Sequence, residues 1–282
     1  MFYFTDAELD AFITEDVPFG DLTTQLLDIG RMKGSIRYAA RSRTVLCGTE
    51  ETVRIFEKLG LETDKWMPTG APVEAGTVFF EGHGTADALH TAWRACGRIL
   101  ENACGIAGRT AELVQRAKAV NPDIVLAATR KSFPGTKKLA SKAVLAGGGT
   151  LHRLGLSETV LVFDAHMAFL GGIPAFLQKI ETLKKESPEK KIVAEAQDID
   201  AARKMIAAGV DVLQCDKFSP DMLKEAVSLA TSAGPNPPHV AAAGNVTAKN
   251  IEEIAATGVT FIVTSAPYFG KPADIGVTLS PY

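Results

Sequence analysis

The sequence has almost no excess charge: 30 lysines and arginines stand against 33 aspartates and glutamates, a formal net charge of -3 over 282 residues. Without a broad basic footprint, the chain is not expected to bind nucleic acid. Cysteine is equally sparse. Cys47, Cys96, Cys104 and Cys215 form neither a CxxC pair nor the regular framework of a small secreted domain, so free thiols in a reducing compartment are expected. No apolar run is long enough to cross a bilayer, and the opening MFYFTDAELD is acidic where a secretion signal needs positive charge. These absences predict a cytoplasmic protein with no membrane partner. The five histidines, His83, His90, His152, His166 and His239, lack a compact ligand spacing and make no case for a metal centre of their own.

What is present is an ordinary folded composition, 46% hydrophobic and 22% charged, with enough chain for one barrel-sized domain and a smaller companion. Near the start, Thr5 and Glu8 stand at capping-box spacing before a short amphipathic helix carrying Leu9 and Ile13. The run EDVPFGDLTT is acidic and broken by Pro18 and Gly20, so it reads as irregular. Short β-like runs over residues 35–47, a helix over 50–59 and the turn-rich MPTGAPVEAGTVFFEGHG then describe a small α+β unit. A long helix follows, because Leu89, Trp93, Cys96, Leu100, Cys104, Ala107, Ala111 and Val114 recur at spacings of three and four. Arg94, Arg98 and Arg109 lie off that stripe and read as solvated.

From Asn121 the texture changes to short apolar runs separated by helical patterns. The runs cover residues 124–128, 159–163, 191–195, 211–216, 239–243 and 260–265; the helices cover 139–146, 173–185, 199–208, 220–233 and 248–256. Continuous apolar runs between helices predict a parallel sheet buried on both faces. The fold class is therefore α/β: an incomplete α/β barrel of about six strands over residues 106–268. It follows a small N-terminal α+β domain over 1–105, onto which residues 269–282 are expected to pack.

In such a barrel, the loops after the strands build the active face. Here Arg130 and Lys131 follow the first strand, Asp164 and His166 the second, and Glu195 ends the third. Asp216 and Lys217 close the fourth, Gly244 and Asn245 follow the fifth, and Thr264 and Ser265 end the sixth. Any one of these alone is more often a helix cap or a surface charge. Their agreement on one rim is what points to a site.

The stretch 129–166 also concentrates Arg130, Lys131, Lys137, Lys138, Lys142, His152 and Arg153 around glycines, which suits a small polyanion but equally a solvated basic loop. Glu195 and Asp216 suit magnesium held together with substrate phosphates; pairing with neighbouring cations is the competing account. The turns AAAGN and VTSAP offer backbone N–H groups to a phosphate at the following helix start.

Taken in order, EDVPFGDLTT, RILENACGIAGRT, TRKSFPG, AVLAGGGTLHRLGLSE, VAEAQ, LQCDK and GVTFIVTSA resemble the quinolinate phosphoribosyltransferases (nicotinate-nucleotide pyrophosphorylases, carboxylating) over almost the whole chain. The glycine triplet followed by HR and GLS is the most specific of these. The resemblance implies a type II phosphoribosyltransferase, an N-terminal α+β sandwich domain before an incomplete α/β barrel, with phosphoribosyl pyrophosphate (PRPP) and magnesium as donor and cofactor and the ring nitrogen of an aromatic acid as acceptor. It implies a homodimer, or a larger assembly of such dimers, with active sites completed across the interface. By motif, Arg130, Lys131, His152 and Arg153 line the acceptor and pyrophosphate pocket. Glu195 and Asp216 face the ribose and its magnesium, and Arg94 reaches across from the neighbouring subunit. Gly244, Asn245, Thr264, Ser265 and Ala266 hold the 5-phosphate.

The departures matter as much. Where the family carries Lys-Asp-Asn-His after the second barrel strand, this chain has Phe163, Asp164, Ala165 and His166, so a substrate-facing lysine is missing. Leu-Asp-Asn becomes Cys215, Asp216 and Lys217, and Ala-Ser-Gly-Gly becomes Ala242, Ala243, Gly244 and Asn245. These changes resemble the ModD pyrophosphorylase-like subgroup associated with molybdate transport. They imply a less anionic or differently shaped acceptor bordered by Phe163, Asp164 and Lys217, unless Lys217 restores the charge. Two other classes compete: a non-catalytic oxyanion or phosphoribosyl-ligand sensor linked to molybdate uptake, and a Schiff-base aldolase using Lys131 or Lys217.

Overall fold

The computed structural model describes residues 2–282 and divides them into two compact units that interleave in sequence. The first unit takes residues up to Ala111, then Phe133–Gly148 and Pro267–Tyr282; the second takes Glu112–Ser132 and Gly149–Ala266. The expected boundary at 105/106 therefore falls inside a compact unit, and two later segments, Phe133–Gly148 and Pro267–Tyr282, return to the first.

The first unit opens with α1 (Asp6–Asp16), whose capping box forms as the sequence predicts: Thr5 N–H donates to Glu8 Oε2 at 2.7 Å and Glu8 N–H to Thr5 Oγ1 at 3.3 Å. In the EDVPFGDLTT run, Asp21 caps α2 (Leu22–Leu26) by accepting from the N–H groups of Thr23 and Thr24. There follow β1 (Lys33–Ala40), β2 (Thr44–Val45), α3 (Thr49–Lys58), β3 (Glu62–Trp66), β4 (Pro72–Val73) and β5 (Val78–Thr85). Helix α4 (Ala86–Val120) then runs unbroken for 35 residues, longer at both ends than its apolar stripe.

Its main sheet is antiparallel, with the C-terminal strand on one edge: order C-terminal strand, β1, β5, β3. The core is aromatic. Phe80 packs edge-on against Tyr38 (5.8 Å between centroids) and Phe56 (4.8 Å), all three fully buried, and the Tyr38 hydroxyl donates to Ala92 O. Gly82 permits this packing: a Cβ there would lie 2.7 Å from Phe56 Cε1 and 2.5 Å from Glu62 O.

The remaining elements are β6 (Val125–Ala128), α5 (Lys137–Ala146), β7 (Thr150–Leu151), β8 (Val160–Val162), α6 (Asp164–Leu170), α7 (Ile173–Glu186), β9 (Ile192–Ala196), α8 (Ile199–Ala207), β10 (Val212–Asp216), α9 (Pro220–Thr231), β11 (His239–Ala243), α10 (Ile251–Ala255), β12 (Phe261–Thr264) and β13 (Ile275–Pro281). In the second unit the strands form one curled parallel half-barrel in the order β7-β6-β12-β11-β10-β9-β8. It has seven strands, one more than the six apolar runs. The extra one, β7, is only two residues long, too short to give a periodic signal.

Alternation along each strand sorts the side chains. Leu126, Ile192, Ala194, Leu213, Cys215, Val240, Ala242 and Ile262 join a large core with the helices. Ala127, Leu161, Val193, Val212, Ala241, Ala243 and Val263 form a separate cluster on the other, concave face, with Phe163 and Phe261 packed against it. Continuing that alternation to the strand ends puts Glu195, Gln214 and Asp216 on the concave face as well. Among the described residues, no helix is long and apolar enough to cross a membrane.

Candidate active site

Every rim residue expected from the strand ends lies in the second unit, but the cations of residues 129–166 do not stay together. Lys138 and Lys142, on α5, belong to the first unit, where Lys138 pairs with Glu8 at 2.5 Å and Lys142 with Glu51 at 2.6 Å and Glu50 at 2.8 Å. Lys137 begins the same helix, in the same unit. The expectation of one seven-residue cationic cluster is corrected accordingly: carboxylates distant in sequence claim two of its lysines.

Arg130, Lys131, His152 and Arg153 remain. The Thr129 hydroxyl shapes the turn after β6, accepting from Lys131 N–H at 3.2 Å and bonding the Ser265 hydroxyl at 2.7 Å. Arg130 and Lys131 are exposed. Burial and the neighbouring Arg130 both hold the Arg153 guanidinium below its usual pKa, the mark of two like charges facing a shared space. Burial and Arg153 likewise depress His152, so its imidazole is neutral at pH 7; its ring lies 6.3 Å from that of Phe261.

A cavity of about 760 Å³ opens beside β8. Its apolar wall includes Phe163, Phe169 and Phe176, and Arg130, Arg153 and His166 supply polar groups. Arg153 lies 6.0 Å from the Phe163 ring centroid, and His166 stacks on that ring at 5.8 Å while its Nδ1 accepts from Phe163 N–H. With Nδ1 accepting, a neutral His166 carries its proton on Nε2. An aromatic wall with guanidinium groups at one side can hold a flat ring bearing a carboxylate. Asp164, at the first position of α6, is exposed and is absent from the cavity wall.

The carboxylates sit on neighbouring strands. Gln214 Nε2 donates to Glu195 Oε2 at 2.7 Å, and Gln197 Nε2 to Glu195 Oε1 at 3.3 Å. Burial pushes the Glu195 carboxyl above the usual range; the Gln214 bond opposes this, and Asp216 and Asp164 reinforce it. Asp216, one residue before the turn, has Lys217 Nζ 3.7 Å away. Neither carboxylate lines the cavity beside β8, but Leu161 and Phe163 belong both to its wall and to the concave face, so the cavity borders that face in the same unit.

The turns after β10 and β11 are conformationally demanding. Lys217 and Asn245 adopt φ of +58° and +57°, a left-handed conformation uncommon for residues other than glycine, and Gly244 lies between them in space at φ +79°. A Cβ on Gly244 would meet Asp216 Oδ1 at 2.5 Å and Lys217 Cγ at 2.6 Å. The glycine therefore lets Asp216 keep its place.

Two phosphate-site expectations change. Helix α10 does not begin until Ile251 and is only five residues long, and β12 is followed by a single 3-10 turn, Ala266–Tyr268. Loop N–H groups, rather than long helix ends, are what this region offers an anion. The Thr264 hydroxyl is also committed, donating to Val246 O at 2.8 Å and accepting from Ala266 N–H at 3.0 Å. Thr264 thus braces the loop; Gly244, Asn245 and Ser265 stay at its open side, partly or fully exposed. Arg94 lies in the first unit, exposed on α4 with its guanidinium 3.9 Å from the Trp93 ring centroid. The sequence motifs put His166 on the rim without a role for it, and they give no sign of Phe169 or Gln214, whose positions follow from a helix face and a strand face.

Comparison with known proteins assigns this arrangement. Residues 21–104 match the N-terminal domain of quinolinate phosphoribosyl transferase, and residues 106–278 its C-terminal domain. The chain belongs to the quinolinate phosphoribosyltransferase family.

Within that family it is 39% identical over 279 residues to the "Putative pyrophosphorylase ModD" of Pasteurella multocida, covering 99% of each chain. It is 32% identical over 270 residues to the "Probable nicotinate-nucleotide pyrophosphorylase (carboxylating)" of Synechocystis, covering 95% of this chain and 89% of the relative. The solved nicotinate-nucleotide pyrophosphorylase of Francisella tularensis superposes with a TM-score of 0.87 at 27% identity, covering 96% of this chain and 94% of that one. The family and the half-barrel fold expected from the sequence motifs are both borne out.

Proposed function

We propose that the chain transfers the phosphoribosyl group of PRPP to the ring nitrogen of a quinolinate-like aromatic acid and releases pyrophosphate. The observation that carries this reading is the arginine-flanked aromatic cavity beside β8, in the same half-barrel as the paired carboxylates. In the reaction, the anomeric carbon–oxygen bond to pyrophosphate breaks as the ring nitrogen supplies an electron pair to that carbon. Positive charge grows on the ribose, so Glu195 and Asp216 stabilise the transition state more than the ground state. Arg130 and Lys131 balance charge on the departing pyrophosphate, and His152 and Arg153 hold the acceptor. Gly244, Asn245, Ser265 and the loop N–H groups receive the 5-phosphate.

Magnesium fits this scheme as a passenger of PRPP. Burial is the main cause that raises the pKa of Glu195; Asp216 and Asp164 add a smaller like-charge repulsion, which a divalent cation would relieve. Among the described residues, however, no cluster of three or more His, Cys, Asp or Glu side chains is arranged to hold a metal, so most ligands must be phosphate oxygens and water. When bound, magnesium supplies charge neutralisation at the pyrophosphate.

Phe163 narrows the acceptor. A ring in place of the family's lysine removes one charge from the pocket, which favours an acid with fewer anionic groups than quinolinate, while Lys217 stands on the rim as the replacement cation. A shared site across a homodimer, completed by Arg94 of the second subunit, belongs to the same reading. The aldolase alternative gains no support: Lys131 and Lys217 are exposed, and a Schiff-base lysine needs a desolvated pocket.

Purified protein incubated with PRPP, magnesium and a panel of aromatic acids should release pyrophosphate and form a new ribonucleotide detectable by mass spectrometry. PRPP binding without product for any acceptor would favour the sensor reading. Neither binding nor turnover would sink both.

A further inference from the structure

On the concave face of the half-barrel, among alanine and valine side chains, lies one amide that the reaction scheme does not use. Gln214 is 5% exposed and follows Val212 in the inward-facing alternation of β10. It stands directly opposite Glu195 in the β9–β10 register, and its Nε2 donates to Glu195 Oε2 at 2.7 Å. Its other polar atom, Oε1, is buried and has no hydrogen-bond partner among the described residues. The amide cannot relieve this by turning over, because its carbonyl would then face an ionised carboxylate.

A buried acceptor without a donor lowers stability, and a hydrophobic side chain of similar length would pack at this position without that penalty. The conflict between local stability and residue choice is the kind found where a residue is kept for its effect on a neighbour. The neighbour here is Glu195. It is half-buried, it faces the place assigned to the ribose, and it has two side-chain donors, of which Gln214 is the shorter and the more buried. Gln197 is exposed and its contact is 3.3 Å, too long to fix the carboxylate by itself.

We propose that Gln214 is a positioning residue of the phosphoribosyl site, which holds the Glu195 carboxylate toward the ribose hydroxyls and leaves its own carbonyl unpaired to do so. The proposal rests on the phosphoribosyltransferase reading. Glu195 accepts from a ribose hydroxyl through one oxygen while Gln214 occupies the other, so the amide fixes which edge of the carboxylate meets the sugar.

The test uses the whole protein, with PRPP plus magnesium and the two probes ribose 5-phosphate and 2-deoxyribose 5-phosphate, measured by calorimetry. Wild-type protein that binds none of the three would remove the phosphoribosyltransferase reading and this proposal with it. If wild type binds PRPP, Gln214→Met is expected to bind it about tenfold more weakly, the size of one lost orienting hydrogen bond. Its preference for ribose over deoxyribose 5-phosphate should shrink by a similar factor, and its melting temperature should equal or exceed that of wild type. A purely structural glutamine gives the opposite pattern, a lower melting temperature with unchanged affinity and sugar preference, and that result overturns the proposal while leaving the reaction intact. A variant that loses both stability and affinity is decided by the double-mutant cycle with Glu195→Gln. If Gln214 acts through Glu195, adding Gln214→Met to Glu195→Gln changes PRPP affinity less than twofold; full additivity overturns the proposal.

Discussion

Lys142 Nζ lies 2.6 Å from Glu51 Oε2, with the lysine side chain 11% and the glutamate 5% exposed, and Glu50 closes the cluster at 2.8 Å. A single cation thus compensates two carboxylates inside the sandwich unit. Lys142→Met leaves both without a counter-charge, and breaking such a buried pair typically costs about 3–5 kcal/mol. Urea unfolding should show that loss, whereas the triple replacement Lys142→Met, Glu50→Gln, Glu51→Gln should recover most of it. A Lys142→Met protein as stable as wild type refutes the assignment.

The same cluster sets an acid limit. Burial pushes the Glu50 carboxyl up, but hydrogen bonds from Lys142 and Thr69 outweigh it and hold its pKa at about 2. A folded pKa below the unfolded value means stability that is complete above the usual carboxylate range and lost as pH falls toward 2. Glu50→Gln should therefore flatten the fall in melting temperature below about pH 4.5, the ordinary value for this side chain. An unchanged acid profile would count against the cluster.

This cluster also shows where the sequence stops being informative. The strand-end rule located Arg130, Glu195, Asp216 and Gly244, because a parallel half-barrel fixes the direction of every strand and so the rim on which its ends fall. It gave no means of separating Lys142 from Arg130, since what divides them is a set of carboxylates at residues 8, 50 and 51, over 90 positions away for the last pair. Thr264 is opaque for a related reason: its hydroxyl looks available beside a phosphate loop in the sequence, and only the fold shows that Val246 and Ala266 use it. Gln214 was invisible inside DVLQCD, which reads as one apolar run until the alternation of its two faces is known.

Lys217 carries a left-handed backbone at φ +58° where the family pattern has asparagine, a residue that tolerates this conformation better. Lys217→Gly should raise stability by about 1 kcal/mol by releasing that strain. If the ammonium supplies the charge missing at residue 163, the same variant should lose acceptor affinity, raising KM for the acid with little change for PRPP. A stabilised variant with unchanged KM leaves Lys217 outside the acceptor site.

Arg130→Ala, Lys131→Ala and Arg153→Ala should each weaken kcat/KM by the worth of a charge-assisted hydrogen bond, about 1.5–3 kcal/mol or roughly tenfold to 150-fold. Near-normal kinetics in all three would remove this rim from the reaction. For Arg94, exposed in the first unit, the expected outcome differs in kind: mixing the impaired Arg94→Ala and Lys131→Ala proteins should raise activity above that of either alone through mixed dimers. No recovery after verified subunit exchange rules out a shared site.

Phe163 is the residue on which acceptor choice turns. Its ring packs against the concave cluster, stacks with His166 and faces Arg153, so it both walls the cavity and fills the position at which the family supplies a cation. Phe163→Lys adds a charge where a second carboxylate of quinolinate is expected, and it removes an aromatic face that a less charged acid uses for stacking. The two effects oppose each other on different substrates. Turnover of quinolinate should rise by tenfold or more, on the order of one charge-assisted contact, while turnover of the acid best used by wild type should fall. Phe163→Leu separates the terms, losing the ring without gaining the charge, and should impair the preferred acid without improving quinolinate. If Phe163→Lys leaves the ratio of the two substrates unchanged, the aromatic wall does not select the acceptor and the cavity beside β8 is not its binding place.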